Sequence, residues 1–133
     1  MQRFIPLIAR AFLAAIFIKS GTDKLLDPAA TQQYMASAGL PLTGLLLAGA
    51  IVAELVGAVS VILGWKARWG AIALIVFLVP TTLIFHTDFS QRMQLIQFLK
   101  NLGLIGGLLM VVAYGSGPLS LDERLGGDGK VDG

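Results

Sequence analysis

Apolar residues run almost unbroken through four stretches of this chain, at about 4–21, 42–64, 69–86 and 94–114, and polar residues gather between them. A bilayer span needs about 20 mostly apolar residues, with ~17–25 tolerated. Each stretch lies near or within that window and is read as a transmembrane helix. The pattern predicts an all-α fold, a transmembrane four-helix bundle over residues 1–122. The remaining residues, 123–133, read as a polar C-terminal tail, and the glycine-rich segment 126–133 is expected to be disordered.

The connection between the first two stretches is long for such a bundle and carries helix signals of its own. Asp27 can cap a helix, Pro28 suits the first helical position, and Gly39 with Pro41 ends it. A short extra helix over 28–38 is therefore expected in this first outer loop. Tyr34 and Met35 would sit at the interface, and the segment is either a connector or a lid over the bundle's mouth. Pro80 falls inside the third stretch, where it removes a backbone hydrogen bond, and Thr81 and Thr82 can offer hydroxyls to the freed carbonyls. Gly49, Ala53 and Gly57 repeat at four-residue spacing, as do Gly103 and Gly107, which predicts two close-packing faces. Whether those faces pack within one chain or in a homo-oligomer is open.

The apolar pattern is broken at a few positions, and the breaks are informative. Arg10 and Glu54 lie inside the first and second stretches, His86 ends the third, and Lys100 with Asn101 lies in the fourth. A charge at the centre of a span costs ~2.5–3.5 kcal/mol even on the lenient insertion scale, so these residues are expected to face inward. At 1.5 Å per residue Arg10 lies roughly 16 Å below the outer end of helix one and Glu54 roughly 19 Å below that of helix two. Similar depths predict a central Arg10–Glu54 ion pair. Gln94, Gln97, Lys100 and Asn101 form one polar stripe. That stripe and His86 predict an outer cavity lined by His86, Gln97, Lys100 and Asn101, with Arg10 and Glu54 as its floor. Lys19 is half a turn away from Arg10 and is expected to reach the outer interface.

Composition agrees with a chain made of spans: of 133 residues, 56% are hydrophobic and 14% charged, and the mean hydropathy is +0.79. A soluble domain of this size would need more polar surface. The net charge of +2 is small and scattered, which argues against nucleic acid as a partner. Its distribution bears on topology instead. Arg3, Lys66, Arg68, Arg124 and Lys130 share one side, against Lys19, Lys24 and Arg92 on the other, so the positive-inside rule places both termini in the cytoplasm. Arg10 interrupts the first apolar run, so that run is read as an uncleaved span and not as a signal peptide.

The chain has no cysteine and one histidine, which leaves too few ligands for a metal site and excludes thiol chemistry within the chain. No nucleophile–base–orienter set is visible, so catalytic residues stay unassigned. His86 and Lys100 can donate hydrogen bonds to an anion or to a carbonyl oxygen such as a quinone's.

The order of several segments resembles the DoxX family. These are Arg10–Ala11–Phe12–Leu13 and Phe17–Ile18–Lys19–Ser20–Gly21, then Lys24–Leu25, Tyr34–Met35–Ala36 and Gly39–Leu40–Pro41. Glu54–Leu55, Leu63–Gly64–Trp65, Phe85–His86, Leu99–Lys100–Asn101–Leu102 and Ser120–Leu121–Asp122 continue it. The resemblance implies a four-span protein of the bacterial inner membrane. The family takes its name from a subunit of a thiosulfate:quinone oxidoreductase, so it also implies a quinone as ligand and a soluble or membrane redox enzyme as partner. The readings that follow are a redox-associated binding subunit, a non-enzymatic adaptor whose partner supplies the catalysis, and a small solute or proton transporter.

Overall fold

The computed structural model describes residues 3–125. Six helices follow one another: α1 (Phe4–Leu26), α2 (Pro28–Ser37), α3 (Thr43–Leu63), α4 (Ala67–Phe85), α5 (Arg92–Tyr114) and α6 (Leu121–Arg124). Among the described residues, α1, α3, α4 and α5 are the helices long and apolar enough to cross a membrane. They form a four-span bundle, and the regular structure is all helical.

The helix ends follow from local chemistry. The Asp27 carboxylate accepts the Ala30 N–H at 3.2 Å, and Pro28 occupies the first turn of α2. That helix ends where the Leu40 N–H reaches the Met35 carbonyl and the Gly39 N–H reaches that of Ala36, with Gly39 in the left-handed region. The end of α3 repeats this arrangement, with Trp65 donating to Ser60 and Gly64 to Val61. Gly64 has φ +67°, and a Cβ there would collide with the Arg10 guanidinium and the Ser120 side chain. Glycine is thus required at Gly64 twice over, by backbone and by space.

In the bundle α1 packs on α3, α3 on α4 and α4 on α5, whereas α1 and α5 touch at few points. The ring of helices is therefore left with a seam between its first and last members. Lipid tails supply little drive for apolar burial, so close contact falls to small residues. Gly21 lies against Leu55 and the Glu54 Cβ, Gly57 against Leu74 and the Gly70 carbonyl, and Gly107 against Leu13. Gly49 and Gly103 face open space, so each predicted glycine face packs at one of its ends and does not run continuously. Exposed Phe12, Val56, Val76 and Leu102 suit a lipid-facing surface.

Four further details depart from expectation. Helix α1 continues five residues past position 21, which carries Lys24 into the span. Met35 is buried beneath α2 and not at an interface, while Tyr34 stacks on Phe85 with ring centroids 4.7 Å apart. Of the two threonines after Pro80, Thr81 donates to the Phe77 carbonyl at 2.7 Å, but Thr82 accepts from the Asn101 side chain. Residues 121–124, at the edge of the expected tail, form the one-turn α6, and the segment 126–133 lies outside the described residues.

Candidate functional site

Arg10 and Glu54 do not meet. Gly21 packs against Glu54 and so sets the register of α1 on α3. Arg10 is eleven residues before Gly21, about 16 Å along the helix at 1.5 Å per residue. The expected pair fails because α1 runs further than its apolar pattern suggested, which moves Arg10 towards the opposite end of the bundle.

The partner of Glu54 is Lys24, with Nζ 2.6 Å from Oε1. The same ammonium donates to Ser20 Oγ at 2.7 Å and stands 5.6 Å from the centre of the Phe77 ring. Glu54 is fully buried. Its Oε2 has no hydrogen-bond partner among the described residues. Sequence reasoning missed Lys24 by placing it in the polar loop, although a signal existed. The buried positions of α1 are Arg10, Ala14, Phe17 and Gly21, and at 3.6 residues per turn Lys24 continues that stripe.

Around this pair lies a cavity of about 220 Å³, whose walls include Lys24, Glu54, His86, Gln97, Lys100 and Asn101. The structure thus brings together five of the six residues singled out from the sequence, omits Arg10, and adds Lys24. Lys100 remains accessible from outside, whereas Asn101 is buried and donates through Nδ2 to Thr82 Oγ1 at 3.0 Å. His86 caps α4 just beyond the span. Burial, with Lys100 adding to the effect, holds its imidazole below the ordinary value, so it is neutral at pH 7 and presents one donor and one acceptor. A second cavity, of about 330 Å³, adjoins the first through Lys24, Phe77, Thr81 and His86, and α2 closes it with Thr31, Tyr34 and Met35. An apolar groove along α1 and α5, lined by Leu13, Gly107 and Met110, shares Leu104 with the polar cavity.

Arg10 anchors a different cluster at the Gly64 end. Its guanidinium donates to the carbonyls of Leu119 at 2.7 Å, Pro118 and Ile62 at 3.3 Å, Pro6 at 3.4 Å and Val61 at 3.5 Å. Asp122, buried on α6, accepts the N–H groups of Lys66 at 2.6 Å and Ala67 at 3.1 Å, the first donors of α4. A carboxylate there suits both the orphan amides and the positive end of the helix. Ser116 adds a hydroxyl to Asp122 at 2.8 Å. Sequence reasoning missed this cluster, although Ser120 followed by Glu123 is the spacing of a capping box, and the Ser120 hydroxyl does accept the Glu123 N–H at 3.1 Å.

What the two clusters can do differs. The Arg10–Asp122 cluster is filled by backbone groups and has little capacity left for a ligand. The Lys24–Glu54 cavity offers donors at Lys100, His86 and Gln97, an acceptor at Glu54, and room for a small molecule. Glu54 and His86 are its metal-competent side chains, two where a structural site usually has four.

Fold and site together define a four-span membrane protein with a polar cavity buried between its helices. The DoxX family model matches residues 5–87, and the chain belongs to that family. The inner membrane protein YqjF of Escherichia coli K12 is 34% identical over 119 residues, covering 90% of both chains. The inner membrane protein YphA of the same organism is 35% identical over 123 residues, covering 89% of this chain and 88% of its own. No solved structure matches the chain with significance.

Proposed function

We propose that this protein is a redox-associated subunit of the bacterial inner membrane that holds a quinone in the Lys24–Glu54 cavity. One observation carries the reading: polar side chains from α1, α3, α4 and α5 converge on a cavity that borders a lipid-facing groove at Leu104. Buried ionisable groups are costly in a span, and function is their usual reason. Lys100 and His86 serve as donors to a ring carbonyl. The groove along Leu13, Gly107 and Met110 takes the ligand's apolar chain. Helix α2, fastened by the Tyr34–Phe85 stack, covers the adjoining cavity. A partner enzyme supplies the other half of the redox reaction, because the cavity holds no cysteine and no metal-ligand set. In this reading the Gly64 end of the bundle and both termini face the cytoplasm, as the distribution of basic residues implies.

The test is to extract the protein gently into lipid nanodiscs and analyse its small molecules by mass spectrometry. A quinone should accompany the wild type at near one per chain and be lost from a folded Lys100→Ala variant. Protein that is folded yet carries no quinone would refute the reading, and a soluble redox enzyme recovered with it in that case would favour an adaptor.

A further inference from the structure

Resting on that reading, we infer that the cavity binds the reduced, hydroxyl-bearing form of its ligand in preference to the oxidised quinone, with Glu54 Oε2 as the acceptor. Glu54 is fully buried, neither of its carboxylate oxygens has a well-directed hydrogen bond among the described residues, and only Oε1 has a cation against it. Oε1 lies 2.6 Å from the Lys24 ammonium. Oε2 meets no hydrogen-bond donor among the described residues. Two nearby donors have other partners, since Lys24 also serves Ser20 and the Asn101 amide serves Thr82. Gln97, Lys100 and His86 line the cavity without bonding to Oε2. A buried carboxylate oxygen without a donor is costly, and that cost is relieved when a donor arrives.

The two redox forms of a quinone differ in this respect. The oxidised ring presents two carbonyl oxygens, which are acceptors only, and one placed against Oε2 would set acceptor against acceptor. The hydroquinone presents hydroxyls, each able to donate to Oε2 at one end of the ring and to accept from Lys100 or His86 at the other. A site built around a polar group discriminates strongly against the analogue that leaves the group unpaired. No electron transfer is required for this preference, because it is a property of binding alone.

The measurement uses the full chain in nanodiscs, freed of bound lipid-soluble molecules. A decyl-benzoquinone is titrated beside its borohydride-reduced hydroquinone under anaerobic conditions. The hydroquinone should bind at least about tenfold more tightly. Glu54→Gln places an amide N–H₂ in the cavity, so this preference should vanish or reverse. If that variant does not fold, the wild-type ratio decides alone. Equal affinities, or tighter binding of the quinone, would overturn the inference while leaving quinone binding in place. Binding of neither form would overturn both.

Discussion

Two buried polar clusters occupy opposite ends of this bundle, and they use their charges differently. At the Gly64 end, Arg10 spends its guanidinium on backbone carbonyls and Asp122 spends its carboxylate on backbone amides. Each charge there is satisfied by the chain itself and joins the tail segment to the α3–α4 turn. At the His86 end, Glu54 has one oxygen paired with Lys24 and the other left without a partner among the described residues. Both ends hold charges out of water, so burial alone does not separate structure from function. The distinguishing quantity is how completely the protein satisfies its own polar groups. A saturated cluster closes a fold, and an unsaturated one can receive a ligand.

Removing Arg10 should break that contrast most severely. Arg10→Ala leaves the carbonyls of Ile62, Pro118 and Leu119 without their donor and Asp122 without its neighbouring cation. Deleting one side of a buried charged network costs about 3–5 kcal/mol. The expected result is loss of most folded protein, seen as a sharp drop in melting temperature in detergent. Arg10→Lys keeps the charge but not the fork of donors, and should fall between wild type and alanine. Protein that survives with lysine should still hold the ligand's polar ring, since Arg10 lines no part of the Lys24–Glu54 cavity and borders only the apolar groove.

Glu54→Gln should separate the two clusters in the other direction. The glutamine can still accept from Lys24, and it removes a buried carboxylate oxygen with no donor. Losing the carboxylate leaves the Lys24 ammonium without its counter-charge, which is destabilising, but the amide oxygen still accepts from it. The expected result is a loss of stability smaller than that of Arg10→Ala, while ligand retention falls. Destabilisation as large as that of Arg10→Ala would mean that Glu54 is structural glue, and the comparison between the two ends would collapse.

The same contrast explains what was legible in the chain. The four spans, the α2 helix and the inward-facing polar residues could be read because apolar runs and capping residues act locally. The cavity residues His86, Gln97, Lys100 and Asn101 were legible because a polar stripe in a span has few other places to go. The partner of Glu54 was not, since pairing depends on register between helices. That register is set by Gly21 against Leu55, a contact that hydropathy does not report. The central placing of Arg10 beside Glu54 fails for the same reason. Asp122 was invisible as a structural residue because its partners are backbone amides of the α3–α4 turn, which carry no side-chain signature.

Lys19 offers the smallest and cleanest check, because it differs from Lys24 in setting and hardly in position. The two lysines are five residues apart on α1. Lys24 turns inward to a buried carboxylate, whereas Lys19 pairs with Asp23 at 2.7 Å with both side chains more than half exposed. An exposed pair four residues apart on a helix contributes about 0.3–0.5 kcal/mol. Lys19→Ala should therefore move the melting temperature barely above measurement error and leave quinone retention unchanged. Lys24→Ala, by contrast, strips Glu54 of the cation it is paired with and should abolish retention. Equal effects from the two substitutions would show that charge at this end of the helix acts through the surface. Unequal effects would place the working carboxylate in the interior, next to Lys24.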